Sequence, residues 1–197
     1  MNQYLTQRRT LTLNPDTILE GCRRNDLLSQ QQLYKLYYPD MIRICYRYAG
    51  DADGAGIIYN NAMLKIFKNI GNYTEEGKLS SWIKTIVIHC SIDFCKKKNI
   101  FKNAVPSIAE DLFVLEPDAF DKLSAREGQV IIAELPEATA AVFNLFIYEG
   151  YTHKQIAEIL GISEGTSKWH VSEAKKQLKE KLKNYFNNNE LKTNAAG

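Results

Sequence analysis

Only three histidines and four cysteines occur in the 197 residues, and His89–Cys90 is their one adjacent pair. Cys22, Cys45, Cys90 and Cys95 form no Cys-x-x-Cys pair, and no His–Cys spacing matches a zinc site. Reduced, buried thiols in a cytoplasmic protein are the expectation. There is no glycine-rich phosphate loop, no nucleophile–base set and no metal-ligand spacing, which argues against an enzyme and against a bound metal or cofactor. No apolar run approaches the ~20 residues of a membrane span. The N-terminus, with Arg8 and Arg9 among polar residues, lacks the apolar core of a secretion signal. The chain is therefore expected in the cytoplasm, with no direct membrane insertion. Strand-type alternation is also missing, so the chain reads as all-α.

What is present is a globular composition, 45% hydrophobic, with an uneven charge pattern. Between Lys78 and Lys102 six lysines face one acid, Asp93. Between Asn103 and Glu127 six acids face Lys122 and Arg126. Between Gly150 and Tyr185 seven lysines face four glutamates. Two basic blocks flank an acidic middle, as suits a polyanionic partner. After a loose tail to Leu13, Pro15 opens a short helix. Longer helices are expected from about Asp26 to Tyr48, with Leu33, Leu36, Tyr37, Ile44 and Tyr48 along one side, from Ala55 to Ile70, and from Leu79 to Lys98. Gly50 to Gly54 is read as a break, and Gly71 to Gly77 as a loop. Residues 101–124 show no sustained periodicity and hold Pro106 and Pro117. A structureless stretch of that length separates domains more often than it interrupts one. The expected architecture is two small helical domains, 14–100 and 125–187, joined by the acidic linker 101–124. In the second, helices at 125–135 and 137–148 precede a longer motif.

That motif runs from Gly150 to Lys168 and reads as a helix-turn-helix, which places a short helix in the major groove of DNA. Thr152 can cap the first helix, and Gln155 completes a capping box. Ile156, Ala157 and Leu160 give it an apolar face, Gly161 ends it, and Ile162 can plug the gap between the helices. Ser163 caps the second helix, with Thr166 three residues into it. In that helix Ser167, Val171, Ala174, Leu178 and Leu182 share one face and point inward. The opposite face carries Gly165, Thr166, Trp169, Ser172, Glu173 and Lys176, with Lys168 and His170 on its shoulders. With Lys154 and Ser163, these form the expected duplex-facing set. Lys168 and Lys176 suit phosphates, and Lys168 also guanine. Trp169 suits a thymine methyl group or packing on a neighbouring helix. Lys179, Lys181 and Lys183 read as solvated charge.

The order and spacing of these segments resemble bacterial RNA polymerase sigma factors of the extracytoplasmic-function type. The resemblance rests on Tyr73-Thr74-Glu75-Glu76-Gly77-Lys78-Leu79-Ser80-Ser81-Trp82-Ile83-Lys84, followed by Ser91-Ile92-Asp93-Phe94-Cys95-Lys96-Lys97. It rests also on Leu135-Pro136 with the helix-turn-helix, and it covers about residues 14 to 187. It implies a first domain that grips core RNA polymerase and melts the −10 element of promoter DNA, and a second that holds the −35 element. An anti-sigma factor is a further partner common in the family. Melting needs a cationic surface and a platform for an extruded base. Asn72, Tyr73, Lys84, Lys96, Lys97 and Lys98 are the expected −10 residues. Tyr73 can equally pack on its own domain, and Trp82 shares the apolar face of Ile86.

In register with the family, Asn60, Asn61, Met63 and Lys65 are the expected polymerase-binding residues. Where the family carries an acidic cluster, this chain has Gly54, Ala55, Gly56 and Ile57, and the Gln–acid pair is replaced by Asn60 and Asn61. His89 stands where Asn is common and Glu173 where Arg is common. The altered helix leaves two alternatives beside a working sigma factor. One is a DNA-binding regulator with weakened polymerase binding, and the other is a decoy for an anti-sigma factor. The free chain is also expected to be able to fold its domains together and hide the DNA face.

Overall fold

The computed structural model describes residues 15–74, 78–98, 100–101, 128, 131–132 and 134–194, with side chains from Asp16 to Tyr185. The expected tail before Asn14, Glu75 and Glu76 of the loop, and linker residues 102–124 lie outside the described residues, as does most of the helix expected at 125–135. The described residues contain helices and no strand, and the protein is all-α.

The first four helices are α1 (Pro15–Arg23), α2 (Leu27–Ala49), α3 (Ala52–Asn69) and α4 (Leu79–Lys97), with a single 3-10 turn at Ile70–Asn72. Their ends follow from local chemistry. Asp26 caps α2, accepting from the backbone N–H of Ser29 at 2.8 Å and from its hydroxyl at 2.6 Å. These bonds hold the Asp26 carboxyl below its ordinary pKa. Gly50 ends α2 at φ 80°, a left-handed conformation that needs glycine. Asp51 then caps α3 at once, accepting from the N–H of Gly54 at 2.7 Å. The stretch read as a break is thus a two-residue corner, Gly50-Asp51, and α3 begins at Ala52 rather than Ala55.

Leu33, Met41, Ile44 and Tyr48 of α2 pack against Ile58, Tyr59, Ala62, Met63 and Ile66 of α3 and against Ile83, Val87 and Cys95 of α4. Leu36 does not join them. It is exposed, because the buried row of α2 passes through Leu33 and Tyr37 and leaves position 36 a turn to the side. All four cysteines are free and buried. Burial pushes the thiol of Cys22 up to about 11 and those of Cys45 and Cys95 up to about 12, so they stay protonated and unreactive.

The second group is α5 (Glu137–Ile147), α6 (His153–Leu160) and α7 (Glu164–Asn194). Ile131, Ile132, Leu135, Ala140 and Phe143 close over Ala174, Leu178 and Leu182 of α7. The helix continues to Asn194, past Phe186, where the apolar periodicity stops. The two groups touch. Ala141, Val142 and Leu145 of α5 belong to the same apolar cluster as the first four helices. The contact is made by α5 with α2 and α4.

Candidate nucleic-acid interface

The helix-turn-helix is built by local hydrogen bonds. Thr152 accepts from the N–H of Gln155, and the Gln155 amide oxygen accepts from the N–H of Thr152 at 2.9 Å, closing the capping box. Gly161 ends α6 at φ 70°. Ser163 accepts from the N–H of Thr166 at 2.9 Å and starts α7. Ile156 and Leu160 are buried, and Ile162 packs on the core between the two helices. His153 fixes their mutual angle. Its ring stacks on Phe146 at 4.4 Å, and Nδ1 lies 3.0 Å from the Ser167 hydroxyl. Burial, and then the nearby Lys168 charge, hold its pKa below the ordinary value, so it is a neutral spacer between helices.

Ser167, Val171, Ala174, Leu178 and Leu182 are all buried, as their spacing requires. Opposite them, Lys154, Ser163, Gly165, Lys168 and Lys176 are exposed, and Trp169, Ser172 and Glu173 are half-buried. Glu173 accepts from Gln177 at 2.6 Å, which ties the carboxylate along its own helix. Two residues of the expected duplex-facing set are corrected. Thr166 is buried with its hydroxyl 2.8 Å from that of Ser163, so it serves the cap. His170 is 2% exposed, with Nδ1 3.0 Å from the Thr139 hydroxyl of α5. Burial lowers its pKa to about 4, so the ring is neutral and inward. The sequence spacing puts His170 on the shoulder of the helix, and α5 covers that shoulder.

The expected −10 residues do not form one cluster. Tyr73 packs against Trp82 with ring centroids 5.4 Å apart, and its carbonyl accepts from Arg23 at 2.8 Å. Asn72 beside it is exposed. Lys96, Lys97 and Lys98 are exposed at the far end of α4, about 20 Å along the helix axis. Lys98 reaches Glu137 at 3.3 Å. Lys84, between the two ends, is paired with Glu149 of the second group at 2.8 Å. The four lysines are spread along the length of α4, with the aromatic pair at one end. The joined domains leave Lys154, Lys168 and Lys176 exposed, so the contact engages Lys84 of the expected −10 set and not these cations of the helix-turn-helix.

On α3, Asn60 and Asn61 are exposed, and Asn60 accepts from the Tyr34 hydroxyl at 2.9 Å. Lys65 pairs with Asp93 at 3.0 Å. Met63 is corrected as a polymerase-binding residue: it is 1% exposed and lies in the core with Tyr59 and Ile66. Gly54 and Ala55 are buried too. A β-carbon at Gly54 would stand 2.9 Å from that of Ala49 and 3.0 Å from the Phe94 ring. Of the four positions in register with the family's acidic cluster, only Gly56 and Ile57 reach the surface. Ile57 and Leu64, which sequence reasoning did not assign, are 52% and 59% exposed and flank Asn61 on the outer face. Both fall outside the row Tyr59, Met63, Ile66, Ile70, and that spacing is the signal that finds them.

Two family profiles match the chain. Sigma-70 region 2 matches residues 33–100, and sigma-70 region 4 matches residues 121–178. The chain is 25% identical over 177 residues to the ECF RNA polymerase sigma factor SigW of Bacillus subtilis, covering 84% of this chain and 95% of that protein. It is 21% identical over 159 residues to the ECF RNA polymerase sigma factor SigE of Mycolicibacterium smegmatis, covering 78% of this chain. It spans 62% of the length of that relative. It is also 29% identical over 119 residues to the RNA polymerase sigma factor SigZ of Bacillus subtilis, covering 60% of this chain and 67% of that protein.

Proposed function

Since the chain belongs to the sigma-70 family, as a factor of the extracytoplasmic-function type, we propose that its first domain holds core RNA polymerase and opens the −10 element while α6 and α7 hold the −35 element. It is a transcription initiation factor that directs RNA polymerase to promoters. It works as a regulatory subunit, without catalytic chemistry of its own, where core RNA polymerase and promoter DNA are found, in the cytoplasm. No helix among the described residues is long and apolar enough to cross a membrane.

The observation that carries the duplex-reading part is the capped helix-turn-helix with Lys154, Lys168 and Lys176 left exposed on one side. Phosphates draw these cations, while Ser163, Gly165, Trp169 and Ser172 offer small or aromatic contacts at the start of α7. Glu173 among them can accept from cytosine N4. On the first domain, the Tyr73–Trp82 pair supplies an aromatic platform beside Asn72, and Lys84, Lys96, Lys97 and Lys98 supply cations along the strand's path. Asn60, Asn61 and Lys65 remain the polymerase-facing residues, joined by Ile57 and Leu64. This surface has traded carboxylates for apolar area, so affinity for core polymerase comes from burial more than from charge. An anti-sigma factor is the further partner that the family likeness adds.

The test is size-exclusion chromatography of the purified chain with core RNA polymerase at moderate salt. Co-elution is expected. Separate elution of the folded chain, with an ordinary sigma factor co-eluting in parallel, would overturn the reading in favour of a DNA-binding regulator that has kept the architecture.

A further inference from the structure

Where the two domains meet, three charged side chains converge. Arg47, in the last turn of α2, and Lys84, in the first half of α4, both reach Glu149, which follows α5. Arg47 Nη2 lies 2.7 Å from Oε1, and Lys84 Nζ lies 2.8 Å from Oε2. The Lys84 contact is an ion pair off the hydrogen-bonding line, since Oε2 has no hydrogen-bond donor aligned to it. The Glu149 side chain is 1% exposed, and that of Arg47 13%. The guanidinium also covers the Tyr148 ring at 4.8 Å, and the Arg47 carbonyl accepts from Asn144 Nδ2 at 2.9 Å.

The first domain brings more donors to this place than Glu149 uses. Arg47 Nε and the Tyr48 hydroxyl are buried there with no protein hydrogen-bond partner. Burial, with the Glu149 charge nearby, pushes the Tyr48 hydroxyl well above its ordinary pKa, so it remains a donor. Two cations and two spare donors around one carboxylate make a seat for an anion with more acceptor oxygens than a carboxylate offers. A phosphodiester carries one negative charge on two oxygens, with two ester oxygens beside them. Arg prefers such planar, two-pronged contacts.

We infer that Arg47 and Lys84 form a phosphate seat for the promoter strand, which Glu149 fills as an intramolecular stand-in that keeps the domains joined until DNA displaces it. The inference rests on the reading that Lys84 faces promoter DNA, and it adds Arg47, which nothing in the sequence pointed to. It also makes a selective demand. The closed form leaves the helix-turn-helix exposed, so Glu149 competes with strand binding by the first domain and not with duplex binding by the second. Strand affinity is reduced by the fraction of chains that are closed, and a chain open one time in ten binds about tenfold more weakly than an open one.

The test uses the full chain, small-angle X-ray scattering, and fluorescence anisotropy with a single-stranded thymine-rich oligonucleotide and a duplex. Glu149→Gln is expected to enlarge the radius of gyration, to tighten strand binding about tenfold and to leave duplex binding within about twofold. The double variant Arg47→Gln with Glu149→Gln is expected to stay open and lose the gain. An unexpanded Glu149→Gln would remove the latch. Expansion without tighter strand binding, or a double variant that binds as tightly as Glu149→Gln, would remove the phosphate seat. Should Glu149→Gln unfold, the unaltered chain decides. Saturating oligonucleotide should expand it, and a compact complex would overturn the inference. Loss of co-elution with core polymerase would count against the sigma reading alone, because neither scattering nor anisotropy involves polymerase.

Discussion

Replacing Lys168 and Lys176 together with alanine should flatten the salt dependence of duplex binding. Both side chains are exposed on the outer side of α7. Eight residues separate them, about 12 Å of helix rise, close to the roughly 12 Å width of the major groove. They can therefore meet phosphates on the two walls of one groove. Each phosphate neutralised contributes about 0.9 to the slope of log affinity against log salt. Two lost contacts lower the slope by roughly 1.8 units, which over a fourfold rise in salt is a factor of about 12 in relative affinity. Anisotropy on a duplex of any sequence measures this, because the term does not depend on sequence. Lys183→Ala, further along the helix, should change the slope by less than about half a unit. A double variant whose slope also changes by less than that would refute the placement of this face.

Three further outcomes follow from packing and charge. Gly54→Ala should destabilise the chain by about 1–3 kcal/mol, because the new methyl meets Ala49 and Phe94. Gly56→Ala, with open space around it, should stabilise by about 0.5–1 kcal/mol. Urea melts compare the two, and equal effects would refute the contact geometry. Leu64→Asp should weaken core polymerase binding about tenfold without lowering Tm, and Asn61→Glu should tighten it. No change in either would put the polymerase surface elsewhere. His170 has its folded-state pKa lowered to about 4 from 6.5, so the unfolded chain binds the proton first as pH falls. Stability should fall below pH 6.5 toward pH 4 by at most about 1.4 kcal/mol per pH unit, with His153 adding in the same direction. His170→Gln should flatten the slope in that window, and an unchanged slope would show that the ring is hydrated.

The parts of this fold that were legible in the sequence are those fixed by neighbours in the chain. Thr152 with Gln155, Gly161, and Ser163 with Thr166 set the helix-turn-helix within a few residues, and the structure has each bond. The buried row from Ser167 to Leu182 follows from helical spacing alone. His170 and Thr166 escape sequence reasoning because a helical wheel shows which residues share a side, not how wide a stripe a third helix covers. Thr139, which partners His170, comes from 31 residues upstream. Family register sets Met63 at the polymerase surface, although its spacing from Tyr59 and Ile66 puts it with the core. The Arg47–Glu149 pair spans 102 residues between separate helical groups, and no local pattern encodes such a contact. The domains do pack together, as the sequence allowed, but the covered surface lies on α2 and α4, and the helix-turn-helix stays open.

The most direct test of initiation activity is transcription from fragmented genomic DNA of the source organism by core RNA polymerase with this chain added, followed by mapping of RNA 5′ ends. The account predicts discrete start sites absent with core alone, sharing two separated sequence elements upstream. Start sites no different from core alone, while an ordinary sigma factor yields its own in parallel, would contradict it.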